Sequence, residues 1–366
     1  MRRLHLVAGT IALTLVGGCS GGATEGGDES PAATAGQMVA DVLAAVEGMS
    51  AEQRQEELLQ LAEAEGGSVT LYTSISDFDV LAEAFEEDTG IVLLTYRAAA
   101  EDVRTRVLQE HQANRLEADV IAIGDSRLIP VRDEGILAAY ESPHQEELVD
   151  GAVQEFWTLI RHNLYVSAWN TDLVAEGEHP ASYEDLADPR WDGLMTMEPS
   201  DYDWYWSVSN YLMDEQGYTQ EDVDEYWQQV ANGSEFNSGH TSTTQLLIGG
   251  QYAVFTSAFS KTVEAEKQAG APVEWVPPIE PVFATPEAAA IAASTPKPAA
   301  AVILMDWLIS RGQEVLHEDL QEAVTRTDLQ EAIAEYDVRF VDAEDYVEVE
   351  SEVAEEYDAL SAGGAG

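Results

Sequence analysis

The 366-residue chain has few cysteines and few lysines. Cys19 is the one cysteine, so no disulfide can form within the chain and its stability must come from packed cores. The 69 acidic residues outnumber the 17 basic residues, and the formal net charge is −52 at pH 7. A surface of this charge repels nucleic acid, which excludes DNA and RNA as partners.

The basic residues include only three lysines, Lys261, Lys267 and Lys297. An acidic, lysine-poor surface is typical of a protein adapted to a salty medium, where counter-ions screen the repulsion between carboxylates. A surface that binds specific cations is the alternative. The acidic residues are spread along the whole chain, which favours the first interpretation.

The sequence also lacks the common catalytic motifs. It contains no G-x-S-x-G, no P-loop, no H-E-x-x-H and no G-x-G-x-x-G. Its seven histidines are not spaced as metal ligands. We therefore expect no enzymatic activity, no cofactor and no metal ligated by side chains.

The first nineteen residues have the pattern of a secretory signal. Arg2 and Arg3 precede the apolar run Leu4–Val16, which is too short to span a bilayer comfortably. Cys19 follows small residues at the expected cleavage site, as in the lipobox of bacterial lipoproteins. An ordinary signal peptide with a chance cysteine is the alternative. The pattern predicts an extracytoplasmic protein that is held at the membrane by a lipid on Cys19.

Apolar runs alternate with helical patterns through most of the chain. Residues 37–65 predict a helical segment, after which Ser68–Thr73, Ile91–Tyr96 and Asp119–Ile123 predict strands separated by helices. A second set begins at Leu164–Asn170 and includes a strand at Ala288–Ala292 near its end. This alternation predicts an α/β fold with two units, each a mostly parallel sheet covered by helices.

Small, hydroxylated or acidic residues follow several of the predicted strands and lead into helices. In a parallel sheet these positions share one edge, where free N–H groups and hydroxyls can bind a polar ligand. Ordinary helix capping is the alternative for each loop. The predicted ligand-binding residues are Ser74, Ser76, Glu101, Asp125, Ser200, Asp201, Trp204, Ser238, His240 and Thr241. Trp204 belongs to an aromatic segment, and it suits either stacking on a ligand or covering the sheet.

Eight segments follow one another in an informative order: Glu65–Ser74, Ala84–Ile91, Ala118–Ile121, Glu134–Leu137, Asn170–Val174, Tyr183–Gly193, Gly249–Val254 and the stretch from Ala301 to Glu314. In this order they resemble the iron-type extracellular solute-binding proteins of ABC transporters, and the resemblance spans roughly residues 60–345. It implies a two-lobed, type II periplasmic-binding-protein fold with a ligand cleft at the hinge. It also implies a monomer that captures a small ligand and delivers it to ABC permease subunits, with only a lipid in the membrane.

The resemblance also implies a division of the chain. It comprises a signal peptide (1–18), a lipidated flexible tether (19–36), the N-terminal helical segment (37–65), lobe 1 (66–165 and 277–345), lobe 2 (166–276) and an acidic C-terminal tail (346–366). The hinge segments are expected near Val166–Asn170 and Trp275–Pro278.

The chain departs from the iron-binding members at their ligand tyrosines. Adjacent tyrosines follow the strand of the "GEYAV" segment in those proteins, but Thr256–Ser260 stands there in this chain, and Trp169 replaces the tyrosine of their "YNT" segment. The ligand is thus expected to be an organic solute or an iron chelate. The alternatives are a ferric-ion-binding protein whose tyrosine site has moved to Tyr202 or Tyr205, and an enzyme, sensor or scaffold lipoprotein with the same fold.

Replacing the cysteine tests the predicted lipid anchor. We expect Cys19→Ser to release the protein into the medium, because a serine hydroxyl cannot carry the thioether-linked lipid that would hold it. Fractionation of cells without detergent, followed by immunoblotting, measures the distribution. A variant that stays with the membrane through repeated washing would show that the anchor lies elsewhere.

Overall fold

A computed structural model of the protein describes residues 36–75, 78–329 and 335–363. The predicted signal peptide, the predicted lipidation site Cys19, nearly all of the predicted tether and Ser76 lie outside these ranges. Within them, no helix combines the length and the apolar character that a membrane span requires.

The elements alternate as the sequence predicts. The helices are α1 Gln37–Ala45, α2 Ala51–Ala64, α3 Phe78–Thr89, α4 Ala100–Gln112, α5 Asp125–Asp133, α6 Tyr202–Asp214, α7 Gln220–Asn232, α8 His240–Ile248, α9 Ser260–Gln268, α10 Pro298–Leu308, α11 Arg311–Glu318 and α12 Ala343–Gly363. The strands are β1 Ser68–Thr73, β2 Val92–Arg97, β3 Val120–Gly124, β4 Leu137–Ala138, β5 Thr158–Asn170, β6 Met195–Met197, β7 Ser234–Phe236, β8 Val254–Phe259, β9 Val273–Glu274, β10 Val282–Ala292, β11 Ala323–Val324 and β12 Val338–Phe340.

The first half of the sheet is built from β2, β1 and β3, which run parallel to one another. Their side chains are largely apolar, and Leu71, Ile121 and Ile123 are fully buried beneath helices that include α3 and α10. Two further buried positions come from the helices, Phe85 of α3 and Leu304 of α10. β1 and β3 are buried along most of their length, as the near-continuous apolar runs predict, whereas β2 at the edge of the sheet exposes Val92 and Leu94.

The second half repeats this arrangement with β8, β6 and β7, which also run parallel. Its core is richer in aromatic side chains than that of the first half. Trp204 of α6 and Trp227 of α7 are fully buried, and Tyr226 lies beside them. This packing accounts for much of the aromatic density that the sequence shows after residue 200.

Two long antiparallel strands, β5 and β10, join the halves. They pair from Thr158 opposite Ala289 to Tyr165 opposite Phe283, with a shift of register after Glu287. β10 also pairs with β3, and β5 also pairs with β8, so the sheet runs in the order β2-β1-β3-β10-β5-β8-β6-β7. The two long strands therefore connect the half of the sheet that contains β3 to the half that contains β8.

This pairing corrects one of the two expected hinge segments. The second crossing is β10 rather than Trp275–Pro278, which follows β9 and lies beside the end of β5. The sequence pattern predicted only Ala288–Ala292 as strand, because Pro286 interrupts the β-like pattern ahead of it. In the structure Pro286 lies within β10, one residue before the shift of register. The other segment, Val166–Asn170, is the second part of β5.

A buried ion-pair network lies at this crossing. Arg161 of β5 lies opposite Glu287 of β10 in the strand pairing, and its guanidinium lies 2.6 Å from the Glu287 carboxylate. Arg161 also contacts the carboxylate of Glu322. Lys261 reaches the same Glu322 carboxylate at 2.6 Å. Because an unpaired buried charge costs several kcal/mol, the network penalises any other register of the two strands.

The last described elements, β12 and α12, pack on β10 and on helices of both halves. β12 adds to β10 in parallel, and α12 follows directly. Residues 346–363 of the predicted tail thus belong to a helix that packs on α5, α6 and α7. Tyr346, Val353 and Tyr357 of this helix are buried.

Candidate ligand site at the crossing of the two lobes

The strand ends of both halves face each other at the middle of the β5–β10 pair. β3 ends at Gly124, which pairs with Glu287 of β10, and Asp125 begins α5 directly after it. On the other side, α6 begins after β6, and its Asp203 accepts a hydrogen bond of 2.9 Å from the hydroxyl of Tyr165 on β5. The fold thereby brings a carboxylate from each lobe to the same strands.

A cavity of about 130 Å³ lies between these groups. Its polar lining comes from both lobes and from the crossing strands, and it comprises Asp125, Ser126, Arg127, Asn163, Asp203, Thr285 and Glu287. A second cavity of about 370 Å³ adjoins it and shares Asp125, Pro286 and Val341. Asn163 and Thr285 are direct partners across the β5–β10 ladder, so the register of the two strands sets this part of the lining.

The two aspartates of the cavity, Asp125 and Asp203, are shifted toward protonation. Burial, together with the nearby carboxylates of Asp203 and Asp342, raises the pKa of Asp125 to about 7. Burial also raises the pKa of Asp203, although the hydrogen bond from Tyr165 and the charge of Arg127 act in the other direction. Titratable groups perturbed in this way, next to a cavity, are typical of functional sites. Asp125 can donate or accept a hydrogen bond near neutral pH.

Arg127 supplies positive charge to the same cavity. Its guanidinium pairs with the carboxylate of Glu350 at 2.6 Å and lies 5.9 Å from the ring centroid of Tyr346. The cavity therefore offers a guanidinium, an amide, two hydroxyls and three carboxyl groups. Such a set suits a small polar ligand with both donors and acceptors.

Asp201 and His240 form a buried pair beside the cavity. The His240 Nε2 atom lies 3.1 Å from a carboxylate oxygen of Asp201, and its ring stacks on Phe259 at a centroid distance of 3.6 Å. Burial raises the pKa of Asp201 to about 6, with the His240 charge opposing it. Neither residue lines the cavity, so in this structure the pair supports its wall by joining α6 to α8.

The other residues proposed from the sequence differ in how far they are buried. The Ser74 hydroxyl is buried without a hydrogen-bond partner among the described residues, and the Ser200 hydroxyl donates to Glu198. The side chain of Glu101 is about half exposed and pairs with Arg104 at 2.6 Å. Ser238 and Thr241 are exposed. Of the residues proposed from the sequence, Asp125 alone lines the cavity, and Ser76 falls outside the described ranges.

Trp204 lies in the core of the second lobe. It is 1% exposed and meets Trp227 edge to face, with ring centroids 5.3 Å apart. Its indole therefore covers the sheet, and it does not line the cavity.

Sequence reasoning missed most of the cavity lining. Asp203 and Arg127 lie two residues after the proposed positions Asp201 and Asp125, so two of the proposed loops adjoin the cavity, although Asp125 is the one proposed residue that lines it. Asn163 and Thr285 lie inside strands, where no loop signal exists. Their one sequence signal is a polar residue that interrupts an apolar strand.

A larger groove of about 680 Å³ lies elsewhere, lined by residues that include Lys261, Glu264, Trp275 and Tyr336. No residue of β1, β2 or β3 or of the loops that follow them lines it, although both proposed lobes contribute, the second through Lys261 and Trp275 and the first through His317 and Tyr336. Within the described ranges, no group of three or more histidine, aspartate, glutamate or cysteine side chains is arranged to bind a metal ion.

The raised pKa of Asp125 predicts a pH-dependent effect of Asp125→Asn. A folded-state pKa above the unfolded value means that the folded protein binds more protons between the two values, so this carboxyl lowers the free energy of unfolding as pH rises from about 4 to about 7. We expect the variant to gain stability relative to the wild type over this range, measured as a difference in melting temperature. The exposed Asp214→Asn serves as the control, and a constant difference for Asp125→Asn would contradict the assignment.

The burial of Trp204 predicts that Trp204→Ala acts on stability. Loss of a core indole costs roughly 3–5 kcal/mol of unfolding free energy, measured by denaturant titration. Trp206→Ala removes a half-buried indole from the same helix, and we expect it to cost less. If Trp204→Ala cost no more than Trp206→Ala, the indole would not have the core role described here.

The chain is similar in sequence to one protein family and in structure to several solved proteins. The profile of the bacterial extracellular solute-binding protein family matches residues 118–343. No curated protein sequence matches the chain. Solved structures similar to the chain include iron-bound HitA from Pseudomonas aeruginosa (TM-score 0.67, 18% identity, 80% of this chain and 99% of that one) and AfuA from Actinobacillus pleuropneumoniae with fructose-6-phosphate (0.67, 18%, 80% and 98%). The ferric binding protein from Campylobacter jejuni is also similar (0.65, 16%, 80% and 99%).

These structures are type II periplasmic binding proteins, so the expected fold is confirmed. The family is one of extracytoplasmic proteins that serve transport. Since its profile matches more than half of the sequence, the chain belongs to the bacterial extracellular solute-binding proteins.

Proposed function

We propose that this protein is the lipid-anchored solute-binding component of an ABC importer. It captures a small ligand in the cavity at the β5–β10 crossing and delivers it to the permease subunits as a monomer. The division expected from the sequence, lobe 1 at 66–165 and 277–345 and lobe 2 at 166–276, keeps its first boundary, and its second boundary moves to β10. The lipid on Cys19 and the tether up to residue 36 keep the protein near the permease.

One observation carries the proposal. The cavity is lined at once by Asp125 of the first lobe, by Asp203 of the second lobe and by Asn163 and Thr285 of the strands that connect them. A ligand that contacts all four groups stabilises the closed arrangement of the lobes over an open one, because only the closed arrangement presents both carboxyl groups. Closure around a ligand is the change that a permease can recognise.

The residues around the cavity support an organic solute or an iron chelate more than a bare ferric ion. The hydroxyls of Tyr202 and Tyr205 donate to Asp358 and Glu356 of α12. Burial raises the pKa of both phenols, which opposes the formation of the phenolates that ferric iron requires. Neither ring lines the cavity. We therefore place ligand recognition on Asp125, Arg127, Asn163 and Asp203, with Ser74, Ser200, Asp201 and His240 in the surrounding wall.

Native mass spectrometry tests this proposal. Protein purified without refolding and incubated with an extract of its growth medium is expected to carry one additional small mass. Asp203→Asn alters a lining carboxyl and is expected to reduce the bound fraction roughly tenfold, by analogy with the loss of a charged hydrogen-bond acceptor. Asp214→Asn, at the exposed end of the same helix, is the matched control.

Three outcomes would contradict the proposal. Equal occupancy in both variants would remove the ligand from this cavity. Conversion of the captured molecule into one of different mass would favour an enzyme. A visible charge-transfer band after equimolar ferric citrate, lost in Tyr202→Phe or Tyr205→Phe, would reveal a ferric site on the tyrosines.

A further inference from the structure

Helix α12 crosses from one lobe to the other over the candidate site. It packs on α6 and α7 of the second lobe and on α5 of the first lobe. The segment that leads into it also takes part in the site, because Val341 lines both cavities. The match to the family profile ends at residue 343, where α12 begins, so this helix lies outside the family-matched residues.

The contact of α12 with the second lobe is aromatic and buried. Tyr357 is fully buried, with its ring 5.1 Å from Tyr205 and 5.8 Å from Tyr202, and its hydroxyl donates to the backbone carbonyl of Glu198 at 2.9 Å. Val353 is buried in the same core. Apolar burial of this kind does not weaken when salt is added. This side of the helix is a permanent part of the second lobe.

The contact with the first lobe combines ion pairs with apolar packing, in which Ala343 and Val347 lie partly buried against the first-lobe core. The Glu350 carboxylate lies 2.6 Å from Arg127 and 3.7 Å from Arg104, and Glu344 pairs with Arg132. The Arg127, Arg104 and Glu350 side chains retain 20%, 21% and 23% of their exposure, so water and salt reach them. Partly exposed ion pairs are worth about 0–1 kcal/mol each and are screened by salt. The ion pairs on this side of the helix can therefore break at low cost.

We propose that α12 is a closure latch, which moves with the second lobe and holds the first lobe through Glu350. The proposal rests on the proposed function, since it assumes that the lobes open and close around a ligand. In the closed state the carboxylate of Glu350 reaches Arg127 and Arg104. In the open state these pairs are broken, while the Tyr357 anchor stays in place. A latch of this strength slows the release of a ligand without preventing it.

The position of Arg127 links the latch to the ligand. Arg127 lines the cavity and also pairs with Glu350. A ligand in the cavity that contacts Arg127 would therefore share the guanidinium with the carboxylate of Glu350. The five N–H donors of an arginine permit both contacts. Closure of the helix and occupation of the cavity are thereby coupled through one side chain.

Amide hydrogen exchange on Glu350→Gln tests the latch without any ligand. We expect the variant, in about 0.1 M NaCl, to raise exchange roughly fivefold in peptides from α5 and from the first half of α12. Peptides that cover residues 353–363 should exchange as in the wild type, because their anchor is aromatic. The matched control is Glu348→Gln, which removes the same charge from an exposed position on the same helix and should match the wild type.

Salt provides a second arm of the experiment. We expect about 2 M NaCl to raise exchange in the same peptides of the wild type, relative to residues 353–363, and to add little in Glu350→Gln. If exchange in these peptides were the same in Glu350→Gln and Glu348→Gln at low salt, the ion pairs of Glu350 would not hold α12 to the first lobe. The proposal would then fail. If exchange over residues 353–363 rose equally, the helix would detach as a whole and the anchor would be wrong.

These results separate the latch from the proposed function. Failure of the exchange experiment leaves capture of a solute in the cavity untouched. Failure of the native mass spectrometry experiment, with the exchange result as expected, would leave an ionic latch between two lobes that bind no solute there.

Discussion

The antiparallel pairing of β5 with β10 is the constraint on which the rest of the structure depends. Each strand hydrogen-bonds to one half of the sheet and also to the other long strand, so the two lobes share one continuous sheet. The pair Thr285–Asn163 contributes to the cavity because of the register of this ladder. A slip of one strand by one residue would turn its side chain of this pair to the opposite face. The buried contact of Arg161 with Glu287 makes such a slip costly.

The same crossing imposes an electrostatic cost on the site. Asp125 and Asp203 approach each other in a partly desolvated space, and the pKa of each is raised. Local conflicts with stability are typical of functional sites, where a ligand or a change of state relieves them. Arg127, at the edge of the cavity, compensates for part of this negative charge. Its guanidinium also forms an ion pair with Glu350 of α12.

Much of the architecture could be predicted from local patterns, because parallel strands buried on both faces need near-continuous apolar runs. Ser68–Thr73 is such a run and forms β1 with the expected bounds. β10 was predicted only in part, since Pro286 and Glu287 do not resemble residues of a buried strand. Proline is tolerated there beside the shift of register, and the glutamate is paired with Arg161. Both conditions come from distant parts of the chain.

The sequence by itself determined the class of the fold, the alternation of strands and helices and the edge of the sheet to which the site loops belong. These features follow from local periodicity and from the shared direction of parallel strands. The tertiary structure alone decided which side chains meet. Trp204 faces the core while Asp203, its neighbour, lines the cavity, because successive residues of a helix point about 100° apart. It also decided that an acidic C-terminal segment lies across both lobes, since its partners Arg127 and Tyr205 are far away in sequence and near only after folding.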